Sequence, residues 1–249
     1  MISTIAKLRS FAQCRRVVPP LLGVAVQNQT DQILWRDGEV PVSTRFDDPF
    51  FSLENGVAET EHVFLAGNDL PERFVDGFQI AELGFGTGLN LLVAWDAFAA
   101  SGVAGQLCFT SFEAYPMSPE DMARAHAVFP EFGGKRDLLT KAWTGQGGVI
   151  DLPGVRAEVI VGDARETLPR WDGMADAWFL DGFSPAKNPE LWSEELMAAV
   201  GTHTDAYGTA ATYTAAGFVR RGLADADFAV ERVSGYGRKR HMTRAKIQS

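Results

Sequence analysis

The sequence contains few cysteine and histidine residues, which are common metal ligands. Only two of its 249 residues are cysteine, Cys14 and Cys108, and only four are histidine. Neither cysteine has a CxxC partner, and the histidines are scattered without a recognisable metal-binding or catalytic-triad pattern. We therefore expect no metal. Scarcity of cysteine is typical of a reducing compartment, which favours the cytoplasm.

Long hydrophobic runs are also missing. No apolar run approaches the roughly 20 residues that a membrane-spanning helix requires, so we expect no membrane partner. Residues 1–28 resemble a weak signal sequence, but Pro19 and Pro20 interrupt its apolar stretch and no clear cleavage site follows. We therefore expect residues 1–28 to be a flexible extension rather than an export signal.

Basic residues are scarce in the middle of the chain. Residues 31–216 carry eleven Lys or Arg against twenty-nine Asp or Glu, whereas residues 1–30 carry four bases and no acid. Residues 217–249 carry eight bases and three acids, in a chain of net charge −9. This acidic body argues against nucleic-acid binding by the whole surface but permits one basic contact patch.

Residues 78–90 are the most informative segment. An apolar strand is followed by Gly84, Gly86 and Gly88 at alternate positions and then by an amphipathic helical pattern. Glycine is needed where a strand turns sharply into a helix and the backbone approaches a ligand. A dinucleotide site requires G-x-G-x-x-G, whereas here the spacing is G-x-G-x-G with Glu82 upstream. This pattern resembles the first motif of S-adenosylmethionine (SAM)-dependent methyltransferases, and an acid suits the cationic amino group of SAM.

From residue 78 onward, strand and helix patterns alternate as in a doubly wound sheet. We predict a Rossmann-like α/β methyltransferase fold with seven strands in a mostly parallel sheet and helices on both faces. Residues 78–249 form this core, and residues 29–77 form an N-terminal cap that begins with a small β-hairpin. We predict strands over 78–83, 107–112, 155–161, 176–181, 207–213, 227–233 and 240–243, and helices over 56–65, 68–76, 89–99, 118–128, 164–170 and 190–200.

Four consecutive predicted strands end in an acid: Glu82, Glu113, Asp163 and Asp181. In an open α/β sheet, ligands bind outside the carboxyl ends of the strands. We expect Glu82 to help hold the methionine end of SAM, Glu113 to bind the ribose hydroxyls and Asp163 the adenine amino group. Asp163 is alternatively only a helix cap. The position of Glu113 also fits NAD, so the glycine spacing and Asp163 decide in favour of SAM.

Asp181 opens the segment Asp-Gly-Phe-Ser-Pro, where amine methyltransferases place an acid or amide followed by prolines and an aromatic. A primary alkylamine has a pKa of about 10 and must lose a proton before its nitrogen can attack a methyl group. Asp181 can orient the amine and accept that proton. Desolvation by Phe183 and Trp178 must oppose the preference of a carboxylate for the ammonium form. The alternative for Asp181 is a capped turn.

Longer segments resemble the methyltransferase domain of the MnmC family of tRNA-modifying proteins. The resemblance covers about residues 32–243, and the sequences FDDPFFS and DGFSPAKNP are its most specific parts. The matching segments are 41–52, 59–65, 82–90, 179–189, 217–223 and 235–240.

This resemblance implies SAM as cofactor and N-methylation of the 5-aminomethyl group of the wobble (2-thio)uridine of tRNA. It assigns Glu82 and the three glycines to the cofactor, and Asp181 and Phe183 to the reaction centre. It places Phe46 and Asp47 in a segment that closes over the cofactor. An oxidase domain that binds FAD often follows in the family. With 249 residues we expect a stand-alone methyltransferase, whose aminomethyl substrate comes from a separate enzyme or another route.

A tRNA substrate must be held by the basic minority of the surface. Lys187 closely follows Asp181 and can reach a phosphate beside the target base, whereas the run 238–240 is expected farther off. The alternative for that run is a solvated face. The candidates are Lys187, Arg220, Arg221, Arg238, Lys239 and Arg240.

Three other functions stay open at this point. The chain could be a SAM-dependent methyltransferase for a small amine or a protein, which the acidic body supports. It could be an aminopropyltransferase of the spermidine-synthase type, which uses a similar sheet with acids around an amine. It could also be a non-enzymatic SAM- or nucleotide-binding module in which Asp181 serves only structure.

Overall fold

The computed structural model describes residues 33–37, 39–52 and 55–248. The predicted extension 1–28 lies outside the described residues. Among the residues described, no helix combines the length and the hydropathy that crossing a bilayer demands.

The described part of the chain begins with a small antiparallel sheet of three strands in sequence order. The predicted hairpin is confirmed, because β1 (Ile33–Arg36) pairs along its whole length with β2 (Val40–Ser43). A third strand of two residues, β3 (Asp48–Pro49), pairs with the end of β2. This pairing fixes both ends of the segment between β2 and β3, and this segment contributes to the cavity described below.

A helical segment connects the three-stranded sheet to the main sheet. Asn55 caps α1 (Gly56–Thr60), because its side chain accepts a hydrogen bond from the Ala58 N–H. The helix continues as a π-helical turn over Glu61–Leu65, as predicted for 56–65, and its Val63, Phe64 and Leu65 side chains are buried against the main sheet. The second predicted helix, 68–76, is wrong: a short 3₁₀ turn ends at Asn68, and the chain then turns toward the sheet.

The main sheet has eight strands with helices on both faces, which confirms the predicted fold class. Its order is β10-β11-β9-β8-β4-β5-β7-β6, and the five central strands from β9 to β7 are parallel. Its strands are β4 (Gln79–Leu83), β5 (Leu107–Glu113), β6 (Gly148–Leu152), β7 (Val155–Val161), β8 (Ala175–Leu180), β9 (Thr204–Thr212), β10 (Phe228–Ser234) and β11 (His241–Ile247); its helices are α2 (Leu89–Ala100), α3 (Pro119–His126), α4 (Gly133–Ala142), α5 (Ala164–Thr167), α6 (Glu194–Thr202) and α7 (Gly217–Asp225).

Side chains of the central strands alternate between two hydrophobic layers. Ile80 and Phe179 face the layer that contains α2, whereas Ala81 and Trp178 face the layer that contains α6 and α7. This alternation follows from the two-residue repeat of a strand, and burial of both faces explains the near-continuous apolar runs that made these strands predictable.

The structure contains one strand of the main sheet, β6, and two helices, α4 and α7, that the sequence did not predict. Strand β6 pairs antiparallel with β7 at the edge of the sheet, so the sheet has eight strands rather than seven. Only Ile150 and Leu152 of β6 are buried, which leaves a weak periodic signal. Helix α4 begins with two glycines and buries only Leu139, so it also lacks a strong amphipathic pattern.

The strand register brings four carboxyl ends to one edge of the sheet. Leu83 of β4 lies opposite Phe112 of β5, and Leu180 of β8 lies opposite Leu83 on the other side. The chain leaves β4 toward β5 on one side and reaches β8 on the other, so β4 lies at a topological switch point, where open α/β sheets bind their ligands.

Candidate functional site

A cavity of about 740 Å³ opens at this edge of the sheet. Its walls come from the loops after β4, β5, β7 and β8, from the segment between β2 and β3, and from the turn between β10 and β11. Its volume lies within the roughly 300–1,000 Å³ usual for small-molecule sites. The sequence-predicted residues that line it are Phe46, Gly84, Gly86, Glu113, Asp163, Asp181, Phe183, Lys187, Arg238 and Lys239.

The loop after β4 requires glycine for two physical reasons. Gly84 and Gly86 have φ angles of 84° and 53°, in the left-handed region that residues with a side chain rarely adopt. A Cβ atom on Gly84 would lie 3.2 Å from the Cα atom of Gly182, so the loops after β4 and β8 touch through their backbones. Gly88 lies at the N-cap of α2, behind the cavity lining.

Glu113 holds the glycine loop in place at the end of β5. Its two carboxylate oxygens accept hydrogen bonds from the Gly86 N–H at 2.9 Å and the Tyr115 N–H at 2.7 Å. These two bonds fix the carboxylate of Glu113 at the wall of the cavity.

Asn90 connects the carboxyl group of Glu82, behind the cavity wall, with that of Asp181, which lines the cavity. Its Nδ2 donates one hydrogen bond to Glu82 Oε1 and another to Asp181 Oδ2, both at 2.8 Å. Its Oδ1 accepts a hydrogen bond from the Thr60 hydroxyl of α1, also at 2.8 Å. Glu82 is fully buried and takes a further bond from the Ser111 hydroxyl at 2.6 Å. Glu82 therefore acts on the cavity through Asn90, whereas Asp181 lines the cavity itself.

Burial changes the protonation of both carboxyl groups. It raises the pKa of Asp181 to about 6, against the opposing effect of the hydrogen bonds from Asn90 and the Gly182 N–H. It raises the pKa of Glu82 to about 8, against the bonds from Ser111 and Asn90. At pH 7 Glu82 is therefore mostly neutral and Asp181 mostly ionised.

Aromatic rings cover the cavity beside Asp181. The Phe183 ring stacks on Phe46 with centroids 4.6 Å apart and meets the edge of Phe50 at 5.1 Å. The Ser184 N–H donates a hydrogen bond to Asp48, which ties the segment between β2 and β3 to the loop after β8. The carboxylate that faces the cavity from this segment is Asp48.

Asp47 itself lies outside the cavity lining. Its side chain is 89% exposed, and both its carboxylate and its backbone oxygen contact the ammonium group of Lys187. The sequence resemblance had assigned Asp47 to the cofactor together with Phe46, but the structure brings only Phe46 into the cavity. The backbone at Asp47 lies in the left-handed region, with φ at 48°.

Asp163 lies both at the start of α5 and at the cavity. It caps α5, because its side chain accepts a hydrogen bond from the Arg165 N–H, and it also lines the cavity. Its carboxylate binds the Arg165 guanidinium at 2.5 Å, and these hydrogen bonds lower the pKa of Asp163. Asp163 therefore stays ionised at neutral pH.

The basic candidates separate into two groups. Lys187, Arg238 and Lys239 line the cavity, so the run 238–240 lies closer to the site than expected. Arg220 and Arg221 lie on α7, and with Arg240 they remain outside the cavity lining among the residues that the structure describes.

Sequence reasoning did not assign Asn90, Glu59 or Tyr213 to the site. Asn90 carried a signal, because it is a polar residue in the first turn of an otherwise apolar helix. Glu59 and Tyr213 carried none: they line the cavity, and the Tyr213 hydroxyl donates a hydrogen bond to the Gly182 carbonyl at 2.8 Å. Their positions depend on the packing of segments that are distant in the chain.

The raised pKa of Glu82 predicts how the stability of the folded protein depends on pH. An acid whose pKa rises from an ordinary 4.5 to about 8 on folding stabilises the folded state at low pH, and this contribution is lost as pH rises toward 8. Glu82→Gln keeps the neutral shape and should remove that loss. Between pH 5 and 8 the free energy of unfolding of the wild type should fall relative to the variant by about 1 kcal/mol per pH unit. Urea unfolding across pH measures this difference, with Glu61→Gln, at an exposed position, as control; parallel profiles for wild type and Glu82→Gln would contradict it.

Comparisons with known proteins identify relatives of the chain. Residues 130–248 match a family described as S-adenosyl-L-methionine-dependent methyltransferase. The chain is 45% identical over 221 residues to the tRNA 5-methylaminomethyl-2-thiouridine biosynthesis bifunctional protein MnmC of Caulobacter vibrioides, covering 86% of this chain and 37% of that protein. For the MnmC of Vibrio cholerae the identity is 44% over 230 residues, covering 85% and 34%. The chain spans about a third of the length of these curated relatives.

Solved structures agree with the sequence relatives. The structure is similar to MnmC2 from Aquifex aeolicus, with a TM-score of 0.70 and 26% identity over 90% of this chain and 72% of that one. Spermidine synthase from Thermotoga maritima, with a TM-score of 0.52 and 12% identity over 87% and 72% of the two chains, shares the fold alone. The predicted methyltransferase fold and SAM cofactor are thereby confirmed. Over residues 130–248 the chain is similar to the S-adenosyl-L-methionine-dependent methyltransferase family, and over most of its length it is similar to the MnmC proteins.

Proposed function

We propose that this protein methylates the nitrogen of the 5-aminomethyl group on the wobble (2-thio)uridine of tRNA, giving 5-methylaminomethyl-(2-thio)uridine. The observation that carries the proposal is Asp181, a carboxylate on the cavity wall whose pKa burial raises to about 6. The names of the MnmC relatives supply the substrate. The proposal locates the protein in the cytoplasm and requires a separate enzyme or route that supplies the aminomethyl group.

The cavity fits SAM by volume, backbone shape and charge. Gly84 and Gly86 present bare backbone to the ligand, and carboxylates surround it, which suits its cationic amino acid end. In this proposal Glu113 accepts hydrogen bonds from the ribose hydroxyls while it keeps its bonds to the glycine loop. Asp163 accepts a hydrogen bond from the adenine amino group through an oxygen that it shares with Arg165.

Proton removal is the task of Asp181. When bound, SAM supplies a methyl group on a positively charged sulfur. An ammonium ion has no lone pair, so the substrate nitrogen must lose a proton before it can attack. The Asn90 amide and the Gly182 N–H fix the orientation of the Asp181 carboxylate toward the cavity. A base with a pKa near 6 is mostly ionised at pH 7 and is matched in strength to this task.

The aromatic rings beside Asp181 favour the neutral form of the amine, which opposes the effect of the carboxylate. A carboxylate alone would stabilise the ammonium form, which raises the pKa of the amine. Phe46, Phe50 and Phe183 exclude water from the same wall, which favours the neutral amine. The Phe183 ring also offers a face on which the uracil can stack. Lys187 and Arg238 at the cavity can bind the flanking phosphates.

A second candidate is a methyltransferase for a small amine or a protein side chain, which the net charge of −9 favours over a polyanion. It would use Asp181 in the same way. Transfer of a labelled methyl group from SAM to bulk tRNA, compared with transfer to small amines and to cell protein, separates these substrates. An aminopropyltransferase has only fold similarity in its support.

The assignment of Glu113 predicts a loss of cofactor affinity. Glu113→Gln should weaken SAM binding about tenfold or more, because a hydrogen bond to a charged acceptor contributes about 1.5–3 kcal/mol. Titration calorimetry measures the affinity, and Glu120→Gln, at an exposed position on α3, is the matched control. Circular dichroism must show that both variants fold. Unchanged affinity in Glu113→Gln would remove the ribose assignment.

The base role of Asp181 predicts a change in rate and in its pH dependence. Asp181→Asn should lower the single-turnover rate by about 10²–10⁴-fold, because the amide cannot accept a proton, and should leave SAM affinity nearly unchanged. In the wild type the rate should fall as pH drops below about 6, where Asp181 becomes protonated. Rapid-quench assays across pH test both points; a variant that keeps this acid limb would exclude Asp181 as its source.

The proposed substrate is tested in cells. Deleting the gene should remove 5-methylaminomethyl nucleosides from total tRNA and leave 5-aminomethyl nucleosides in their place, as measured by mass spectrometry. The gene should restore the methylated form, and its Asp181→Asn variant should not. An unchanged tRNA nucleoside profile after deletion would contradict the proposed function and favour a non-RNA amine.

A further inference from the structure

Lys239 places an ammonium group inside the cavity. The residue lies in the turn between β10 and β11 and belongs to the cavity lining. Its Nζ atom lies 2.7 Å from Glu59 Oε1 and 3.9 Å from the centroid of the Tyr213 ring. Glu59 belongs to α1, and Tyr213 follows β9. Three distant parts of the chain therefore converge on one primary ammonium.

The anion of this ion pair is fixed more firmly than the cation. The Glu59 side chain is 14% exposed, whereas the Lys239 side chain is 44% exposed. Glu59 lies on a helix one residue before Thr60, whose hydroxyl is bonded to Asn90. Lysine has a flexible four-carbon stem, and a partly exposed ion pair contributes little to stability. The carboxylate can therefore remain in place when the lysine leaves.

The ion pair adjoins the reaction centre. The Tyr213 hydroxyl is bonded to the carbonyl of Gly182, the residue after Asp181. Burial raises the pKa of Asp181, and the charges of Lys239 and Glu59 shift it in opposite directions, as expected for groups that share one cavity.

We propose that Glu59 and the face of Tyr213 form the subsite that binds the aminomethyl group of the substrate in its ammonium form, and that Lys239 occupies this subsite in the free protein. The inference rests on the proposed function and specifies how that site recognises its substrate. Lysine and an aminomethyl group both carry a primary ammonium with three N–H donors. A recessed carboxylate accepts its hydrogen bonds, and an aromatic face attracts its charge.

The subsite separates binding from proton transfer. The substrate ammonium displaces Lys239 and gives one proton to Asp181. The freed lone pair of nitrogen forms the new N–C bond as the C–S bond breaks, and the electron pair of that bond stays on sulfur. Nitrogen is neutral only between proton loss and methyl transfer; the product is a secondary ammonium, so Glu59 again faces a cation, and Asp181 later releases its proton to water.

Displacement gives Lys239 a second position. Its ammonium moves out to solvent when the target nucleoside enters. Only a tRNA that carries the amine offers Glu59 a replacement cation, so the subsite favours that tRNA over one that lacks the amine.

The test compares two anticodon stem-loops that differ only at the wobble position, one with 5-aminomethyluridine and one with uridine. Affinities are measured by fluorescence anisotropy with S-adenosylhomocysteine, so that no methyl transfer occurs. The wild type should prefer the amine-bearing RNA. Glu59→Gln should lower this preference about tenfold and leave the affinity for the uridine RNA unchanged. Glu61→Gln removes the same charge from an exposed position of the same helical segment and should keep the preference.

Lys239→Met tests the occupant. The loss of the internal ammonium should raise the preference for the amine-bearing RNA severalfold, because Glu59 is then unpaired. If Lys239 only binds phosphate, Lys239→Met would instead weaken the binding of both RNAs equally and leave the preference unchanged. That result would overturn the proposed displacement.

The outcomes distinguish the subsite from the proposed function. If wild-type protein methylates the amine-bearing RNA but Glu59→Gln keeps the wild-type preference, the subsite is wrong and the function stands. If the wild type shows neither methyl transfer nor preference, the proposed function itself is wrong. Unchanged affinity of Glu59→Gln for S-adenosylhomocysteine establishes that the variant is folded.

Discussion

The side-chain amide of Asn90 is the constraint on which the rest of the site depends. It donates one hydrogen to Glu82 and one to Asp181, and its oxygen accepts the Thr60 hydroxyl. A reversed amide would turn its oxygen toward two carboxyl groups, so only one orientation satisfies all three partners. Through these bonds the first turn of α2 connects the ends of β4 and β8 with helix α1. Because an unpaired buried carboxylate costs several kcal/mol, the ionised Asp181 requires this amide to share the buried region with Glu82.

The two acids share one amide and one buried region, but they differ in protonation and in whether they face the cavity. Two carboxylates at close range in a low dielectric do not both ionise readily, and burial raises the pKa of Glu82 to about 8 and that of Asp181 to about 6. At neutral pH the pair therefore carries about one negative charge, on the member that faces the cavity. Glu82 supports the amide, and in the proposed function Asp181 acts as a base beside an ammonium held by Glu59.

The sequence predicts those parts of the molecule whose signal is local. Strand β7 lies over 155–161 as predicted, because its alternating apolar residues reveal a strand without reference to any neighbour. Strand β6 escaped prediction because an edge strand with two buried side chains has little periodicity. Among the site residues, Asp181 was identifiable because it ends a strand beside a distinctive motif. The position of Lys239 against Glu59 was not, since it depends on how residues 180 positions apart pack together.

The most direct test of this account is the titration of the two buried carboxyl groups by ¹³C NMR, with Glu82→Gln and Asp181→Asn used to assign the signals. The account predicts separate steps, near pH 6 for Asp181 and near pH 8 for Glu82. In Asn90→Ala the step of Asp181 should move upward, because its carboxylate loses a hydrogen bond that favours the charged form. An Asp181 signal that titrates near pH 4 in the wild type, unaffected by Asn90→Ala, would contradict the account.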